Sequence, residues 1–117
     1  RGTGWQVLAQ QVVLAPRLLE GDRRSMDAWD GYPAARERLL AMLAGRDAAV
    51  LTGDVHRAWA NDVAAEPGGA PVAAEFVATS ITSEGDGSPA QAGAPAMLAR
   101  NPWLRFHSNL RGLTLHE

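Results

Sequence analysis

The feature that most constrains the fold is a short apolar run, Ala48 to Leu51, which lies between Gly45 and Gly53. A brief apolar run bounded by turn residues is typical of a buried strand in a parallel sheet. A helix is predicted directly before it, because Pro33 suits a first helical position and Gly45 suits the residue after a last one. Helix followed by strand, with further strand signals on both sides, favours a layered α/β fold.

The predicted helix is amphipathic. Apolar residues recur along it at helical spacing, which predicts a buried stripe, and charged residues fill the positions between them. The stripe consists of Ala35, Leu39, Met42 and Leu43, and the residues expected to face solvent are Arg36, Glu37 and Arg38.

Before the helix, the sequence divides into an apolar and a polar segment. Trp5–Leu14 is rich in aliphatic and β-branched residues and is predicted to be a buried strand that stops at Pro16. Residues 17–32 are polar and are predicted to be a long ordered loop, because Trp29 and Tyr32 at its end need a surface to pack against.

After the central strand, two runs rich in strand-forming residues predict a β-hairpin. Arg57–Val63 and Val72–Thr79 flank the turn-forming stretch Pro67–Pro71. A helix over Arg57–Glu66 is the competing interpretation, because alanine is abundant there.

The last third of the chain is predicted to be mostly loop. Thr82–Pro95 is rich in Gly, Ser and Pro, and Ala96–Arg100 fits one helical turn. Leu104–His107 and Leu113–Glu117 are predicted to be a final pair of strands.

Composition excludes several classes of protein. The 117 residues are sufficient for one domain, and 46% of them are apolar. A net charge of −2 argues against a nucleic-acid-binding surface. The absence of cysteine excludes disulfides and thiolate sites. No apolar run approaches the roughly 20 residues that a membrane-spanning helix needs. Because Arg1 begins the chain and an apolar alternation ends it, we expect a C-terminal part of a larger protein.

The sequence Gly53-Asp54-Val55-His56 is the most informative candidate site, because it follows directly on the predicted central strand. Residues two apart in extended backbone point to the same side, so Asp54 and His56 are expected to face one ion. A carboxylate and an imidazole suit a hard or borderline cation, and ligands in α/β sheets bind at the carboxyl ends of strands. The alternative is that Asp54 caps a turn and His56 is a hydrogen-bonded loop residue.

Other polar residues are weaker candidates. His107 and His116 are expected to be structural or to face solvent. The hydroxyls of Thr79, Ser80, Thr82 and Ser83 are expected to form local backbone hydrogen bonds, since a nucleophile elbow is absent. The segment Trp29–Tyr32 could line a pocket, but an aromatic anchor for the loop is the simpler interpretation.

Several segments in this order resemble the alkaline phosphatase D family, also called PhoD-like metallophosphatases. The segment LTGDVHRAWAND, with its Gly-Asp-Val-His and the following Trp-Ala-Asn, is the most specific. The matching segments are Trp5–Val13, Asp27–Arg38, Leu51–Asp62, Glu75–Val77, Thr79–Ser83, Asn101-Pro102 and Arg111-Gly112.

The resemblance implies a calcineurin-like metallophosphatase fold, a β-sandwich flanked by helices, of which residues 1–117 are the C-terminal part of a single domain. It implies metal-dependent hydrolysis of phosphate mono- and diesters, with Fe³⁺ and Ca²⁺ as cofactors. Gly-Asp-Val-His replaces the Gly-His-x-His of related enzymes, so Asp54 and His56 map onto catalytic metal ligands. An extracellular or cell-surface location is the family expectation.

Two positions depart from the family pattern. Trp103 follows Asn101-Pro102 where family members often carry His, and Leu113 follows Arg111-Gly112 where they often carry Tyr. Arg57, next to His56, is the nearest arginine in sequence that could bind a phosphate. The remaining ligands are expected upstream, so the 117 residues alone are expected to be inactive.

The alternative function is a non-catalytic remnant or interaction domain that lacks the front half of the site. Exposed sheet edges would then need a partner chain, such as a second copy.

Overall fold

The computed structural model describes residues 4–83, 85–88 and 92–116. In these residues, five strands form a mixed sheet with the order β1-β2-β4-β3-β5. The predicted α/β class is therefore confirmed, and this part of the chain contains one sheet rather than the two of the expected sandwich. The elements are β1 (Gln6–Ala9), α1 (Pro33–Leu43), β2 (Ala48–Thr52), β3 (Ala58–Ala64), β4 (Pro71–Val77), α2 (Ala94–Arg100) and β5 (Leu104–Ser108).

The strand directions bring four strand ends to one side of the molecule. Strands β1, β2 and β4 are parallel, β3 is antiparallel to β4, and β5 is antiparallel to β3. The carboxyl ends of β1, β2, β4 and β5 therefore meet at the same edge of the sheet, together with the beginning of β3. We call this side the carboxyl edge; it comprises residues 10–12, 53–57, 78–83 and 109–112.

The hydrophobic core covers one face of the sheet. Alternate residues of β2, β3 and β4 are buried, as expected for strands with one covered face. Full burial of a Leu or Val side chain contributes about 1.5–3 kcal/mol. The side chains with at most 1% exposure include Leu14, Val50, Val63 and Val77.

The predicted buried strand over Trp5–Leu14 is wrong in length and in burial. Strand β1 has four residues and forms an edge of the sheet, with Val7 62% exposed. The burial lies beyond the strand, where Leu14 is fully buried in irregular backbone. The aliphatic content therefore reflects packing into the core rather than strand pairing.

Helix α1 begins at Pro33 as predicted and ends before Gly45, whose φ of 73° is a left-handed conformation suited to glycine. The predicted faces are partly wrong. Met42 is 63% exposed, whereas Leu40 is buried. Arg36, predicted to face solvent, is 6% exposed because its guanidinium hydrogen-bonds backbone carbonyls of other elements.

Residues 17–32 form the predicted long loop, stiffened by two 3-10 turns at Glu20–Asp22 and Trp29–Gly31. Trp29 packs against the core as expected, and its indole N–H donates to Gln10 Oε1 over 3.0 Å. Tyr32 does not pack, because it is 64% exposed. One aromatic residue therefore anchors the loop.

The predicted hairpin is confirmed, and the competing helix over Arg57–Glu66 is wrong. Strands β3 and β4 pair antiparallel, with Asn61 opposite Glu75. The turn between them contains Gly68, with a φ of 74°.

At the end of the chain, one of the two predicted strands and the predicted helix are present. Strand β5 confirms the strand predicted at Leu104–His107, and α2 is longer than the single turn predicted over Ala96–Arg100. Residues 113–116 form no strand, so the second strand predicted at Leu113–Glu117 is wrong there; Glu117 lies outside the described residues. The loop predicted over Thr82–Pro95 is confirmed for residues 82, 83, 85–88, 92 and 93, and α2 begins at Ala94.

In the ranges that the structure describes, neither helix has the length and apolarity to cross a membrane.

Candidate active site

The Gly53–His56 segment lies at the carboxyl edge and is joined to neighbouring loops by backbone hydrogen bonds. Gly53 N–H donates to Gln11 O over 3.1 Å, and Ala78 N–H donates to Thr52 O over 2.8 Å. The segments after β1, β2 and β4 therefore meet. Ligands of α/β sheets usually bind at such a place, outside the carboxyl ends of parallel strands.

The backbone of this segment is not extended. Strand β2 ends at Thr52, and Val55 N–H donates back to Gly53 O over 2.9 Å in a tight turn. Asp54 and His56 have φ values of 70° and 53°. The expectation that an extended backbone points both side chains the same way is therefore wrong. Left-handed conformations cost an L-residue roughly 1–2 kcal/mol, and such strain is concentrated at functional sites.

A cleft of about 110 Å³ opens beside Asp54. Asp54 is exposed and shares the lining of this cleft with Arg17, Asp27 and Asp30 from the loop before α1. The segment Trp29–Tyr32, proposed from sequence as either pocket lining or anchor, therefore does both. Asp30 lines the cleft and Trp29 anchors the loop.

Asp30 holds this loop in place. Its carboxylate accepts the backbone N–H of Arg17 over 2.9 Å and a guanidinium N–H of Arg24 over 3.2 Å. The Asp30 side chain is only 2% exposed, whereas the Arg24 side chain is 41% exposed, so the bond to Arg17 N–H is better shielded from water than the ion pair with Arg24.

His56 is half-buried and held through its backbone. Arg111 Nη1 donates to His56 O over 2.6 Å, and Arg111 Nε donates to Gly85 O over 2.8 Å. Arg111 thus joins the Gly53–His56 turn to the loop at residues 85–88.

The donor types of Asp54 and His56, carboxylate oxygen and imidazole nitrogen, fit a hard or borderline cation. Within residues 4–83, 85–88 and 92–116, however, no three His, Cys, Asp or Glu side chains are grouped closely enough to hold a metal ion. The described residues therefore contain no complete metal site.

The other two histidines are packed against aromatic rings. His107 lies with its ring centroid 4.4 Å from that of Trp59, and His116 lies 4.8 Å from Phe76. Burial, and to a smaller extent the positive charge of Arg57, lower the pKa of His107. In the hydroxyl-rich segment, Ser80 Oγ donates to Ser83 O over 3.0 Å, which confirms the expected local bonding for Ser80. For Thr79 the expectation is wrong, because its Oγ1 is buried without a hydrogen-bond partner among the described residues.

A buried carboxylate, Glu75, binds the backbone segment that contributes Ala15 to the lining of the cleft. Glu75 is fully buried, and it accepts the N–H groups of Leu14 and Ala15 and the amide of Asn61 over 2.6–3.0 Å. Burial raises the pKa of Glu75, and these hydrogen bonds oppose that shift. The guanidinium of Arg36 donates to Leu14 O over 3.0 Å, so the segment is held on both its N–H and its C=O groups.

Three residues were given no role from the sequence: Arg17, Glu75 and Asn101, whose Oδ1 accepts the backbone N–H of Leu18 over 2.7 Å. Charged residues in a polar loop are usually solvated, and nothing local distinguishes Arg17 from Arg23. Glu75 gives a better signal, because a lone carboxylate between apolar residues of a buried strand needs hydrogen-bond donors.

Comparison with known proteins identifies the family to which this arrangement belongs. The family model for PhoD-like phosphatases matches residues 1–117, the whole chain. The chain belongs to the PhoD-like phosphatase family. Alkaline phosphatase D of Bacillus subtilis (strain 168) is 39% identical in an alignment that covers 92% of this chain. A solved structure entitled "Structure of PhoD" matches with a TM-score of 0.81 at 39% identity, also over 92% of the chain.

The chain spans about a fifth of the relatives that it matches, 20% of the Bacillus protein and 22% of the solved structure. The family match confirms the resemblance found in the sequence and supports phosphoester hydrolysis as the family's chemistry. The complete activity, the metals and their ligands are considered below as proposals.

The two departures from the family pattern lie in different surroundings. Trp103 is 7% exposed, and its indole N–H donates to Pro16 O, so it belongs to the scaffold of the cleft. Leu113 is 84% exposed and contributes nothing to the core.

Proposed function

We propose that this chain supplies the Asp54 and His56 ligands of a metal-dependent phosphodiesterase or alkaline phosphatase centre. The observation that carries the proposal is the strained turn at Gly53–His56, which places both residues at the carboxyl edge of the sheet in a member of a phosphatase family. Fe³⁺ and Ca²⁺ are the proposed metals, and phosphate esters are the proposed substrates.

The residues of this chain have distinct roles in that centre. Asp54 and His56 would hold metal, and Asp30 keeps the facing loop in position through Arg17 N–H. When bound, the metal ions supply Lewis acidity that neutralises charge on the phosphate oxygens and activates water. Further ligands are proposed to come from the four-fifths of the relatives' length that this chain does not cover. We also propose an extracellular or cell-surface location.

The test uses the protein expressed from its complete reading frame. Metal content and hydrolysis of bis-p-nitrophenyl phosphate are compared among the parent, Asp54→Asn and His56→Ala. Asp22→Asn is the matched control, because Asp22 also has a positive φ, 56°, but lies in another turn. The proposal requires that both site substitutions reduce metal content and activity while the control changes neither. Full activity in either site variant would contradict it.

A non-catalytic interaction domain is the second candidate function. It is favoured by the exposed edge strand β1, in which Val7 is 62% exposed, and by the preceding Trp5, which is 70% exposed. Self-association through this edge is then expected, and the 117 residues alone are expected to show no turnover. Sedimentation of the complete protein as a metal-free, inactive dimer would favour this function over the first.

A further inference from the structure

The segment Arg111-Gly112 lies at the carboxyl edge, and the proposed metal centre gives it no role so far. Its backbone contacts the segment that follows β4, because Gly112 N–H donates to Ser80 O over 3.3 Å. The Arg111 side chain is half-buried, so it extends along the protein surface rather than into solvent. The segment therefore connects parts of the edge that lie far apart in sequence.

The guanidinium of Arg111 joins two such parts directly. Its Nη1 donates to His56 O over 2.6 Å and, at a longer distance of 3.4 Å, to Asn109 O. Its Nε donates to Gly85 O over 2.8 Å. Because a guanidinium is a rigid planar fork, the bonds from Nη1 and Nε together fix the backbone of His56 relative to that of Gly85.

The loop at residues 85–88 is suited to anchor this side chain because it packs closely against the end of the chain. Gly87 has a φ of 79°, and a Cβ at this position would overlap the backbone carbonyl of Asn109. Only glycine permits such an approach of two backbones. Arg111 is thus held on one side by a tightly packed corner and binds the proposed ligand segment on the other.

The backbone of His56 is in a conformation that needs such a constraint. Its φ of 53° is left-handed, which an L-residue disfavours. The bond from Arg111 fixes the peptide group that follows His56, and hydrogen bonds from a charged donor are roughly twice as strong as neutral ones. Because the rotamers open to a side chain depend on its backbone conformation, this bond also restricts where the imidazole can point.

We propose that Arg111 is a positioning residue, which holds His56 in the left-handed conformation from which its imidazole binds metal. The proposal rests on the proposed phosphoesterase function and adds a residue that touches neither metal nor substrate. The expected effect is opposite in sign to that of the charge of Arg111. A guanidinium repels a nearby cation, so its removal would tighten metal binding if charge were its role, whereas loss of positioning weakens metal binding.

The test uses the protein expressed from its complete reading frame. Amide hydrogen exchange of Val55, whose N–H closes the turn, is measured in the protein as purified. The dissociation constant for Ca²⁺ is measured by titration calorimetry after removal of bound metal with a chelator. Arg111→Gln is expected to weaken Ca²⁺ binding by about tenfold or more, the loss typical of a residue that orients a ligand. Exchange of Val55 N–H should become about tenfold faster, which corresponds to the loss of one charge-assisted hydrogen bond.

Two further variants serve as controls. Arg111→Lys keeps the charge without the fork and can bind only one of the two segments, so it is expected to lose nearly as much as Arg111→Gln. Arg46→Gln is the matched control, because Arg46 Nε also donates to a backbone carbonyl, Met42 O over 2.9 Å, but lies before β2 at the opposite edge of the sheet. It should leave Ca²⁺ binding and the exchange of Val55 unchanged.

The outcomes separate this proposal from the function on which it rests. Unchanged or tighter Ca²⁺ binding in Arg111→Gln overturns the positioning role and leaves the phosphoesterase intact. Full Ca²⁺ affinity in Arg111→Lys assigns the role to charge and also overturns it. Exchange that accelerates in β2 and β3 as much as at Val55 indicates general destabilisation and overturns it as well. A parent that neither binds Ca²⁺ nor hydrolyses bis-p-nitrophenyl phosphate contradicts the phosphoesterase, and exchange at Val55 then decides by itself whether Arg111 fixes the turn.

Discussion

Two segments that meet at the carboxyl edge are held in opposite ways. Residues 10–18 follow β1 and are tied down by buried side chains from distant elements. Residues 53–57 follow β2 and are held mainly through backbone contacts. The side chains that hold the first segment are Glu75 at Leu14 and Ala15, Arg36 at Leu14, Trp103 at Pro16, Asp30 at Arg17 and Asn101 at Leu18.

The second segment combines exposure with strain. Asp54 is exposed, and two residues of five have left-handed backbone conformations without being glycine. Residues 10–18 are thus rigidly held in the wall of the cleft. Residues 53–57, which carry the proposed ligands, adopt strained backbone conformations that position them. Stability and function should therefore respond to substitutions in different segments.

The largest expected effect is on the first segment. Glu75→Ala leaves the N–H groups of Leu14 and Ala15 and the amide of Asn61 without their acceptor. Since each unsatisfied buried donor costs about 1–3 kcal/mol, the free energy of unfolding should fall by roughly 3 kcal/mol or more. Urea denaturation measures this, with the exposed Glu66→Ala as control. A loss below about 1 kcal/mol would show that the segment does not depend on Glu75.

The next effect concerns Arg36, whose guanidinium donates to the carbonyls of Leu14, Ala64 and Ala65 over 2.6–3.0 Å. Arg36→Met keeps much of the side-chain volume and removes all three bonds, so we expect a loss of about 2 kcal/mol in the free energy of unfolding. Arg38→Met, on the exposed side of the same helix, should change it by less than about 0.5 kcal/mol. Equal losses in the two variants, compared by urea denaturation, would refute the buried role.

The strained turn should respond in the opposite direction. Glycine adopts the left-handed region without a Cβ penalty, so Asp54→Gly and His56→Gly are expected to raise the free energy of unfolding by about 0.5 kcal/mol, after the larger entropy loss of glycine on folding. Metal content should fall in the same proteins. Asp22→Gly, at a φ of 56°, should give a similar gain with unchanged metal. Destabilisation by either site variant, followed in metal-free protein, would mean that the turn is not strained.

The smallest effect is a dependence on pH. The folded state lowers the pKa of His107 below its ordinary 6.5, so the unfolded chain takes up the proton first as the pH falls. Stability from this group is therefore complete above about pH 6.5 and declines as the pH falls below that value. His107→Gln should make the decline shallower in thermal unfolding between pH 7.5 and 5.5. An unchanged slope would show that His107 does not contribute to it.

The elements that sequence reasoning predicted correctly are those with a local cause. Pro33 and Gly45 bound α1, the apolar run makes β2, and the turn around Gly68 joins the hairpin. Their signals lie within a few residues of one another, so no knowledge of distant contacts was needed.

The elements that were predicted wrongly depend on distant partners. Arg36 faces inward because its guanidinium donates hydrogen bonds to carbonyl groups in two other segments. Leu14 is buried without strand pairing because its N–H donates to Glu75. The site was predicted in the same uneven way. The motif directly follows a predicted parallel strand, which correctly placed Asp54 and His56 at a carboxyl strand end, but the turn conformation and the nearness of Arg17 arise only in the folded chain.

The contact between Trp103 and Pro16 also gives the protein an internal optical reporter. Of the four tryptophans, Trp103 and Trp59 are buried, Trp29 is half-buried and Trp5 is 70% exposed. The Trp103 indole lies against the backbone that positions Arg17, so its emission responds to that backbone and not to bulk solvent. With the other three replaced by phenylalanine, fluorescence of Trp103 would follow the opening of the cleft wall in real time, without a label.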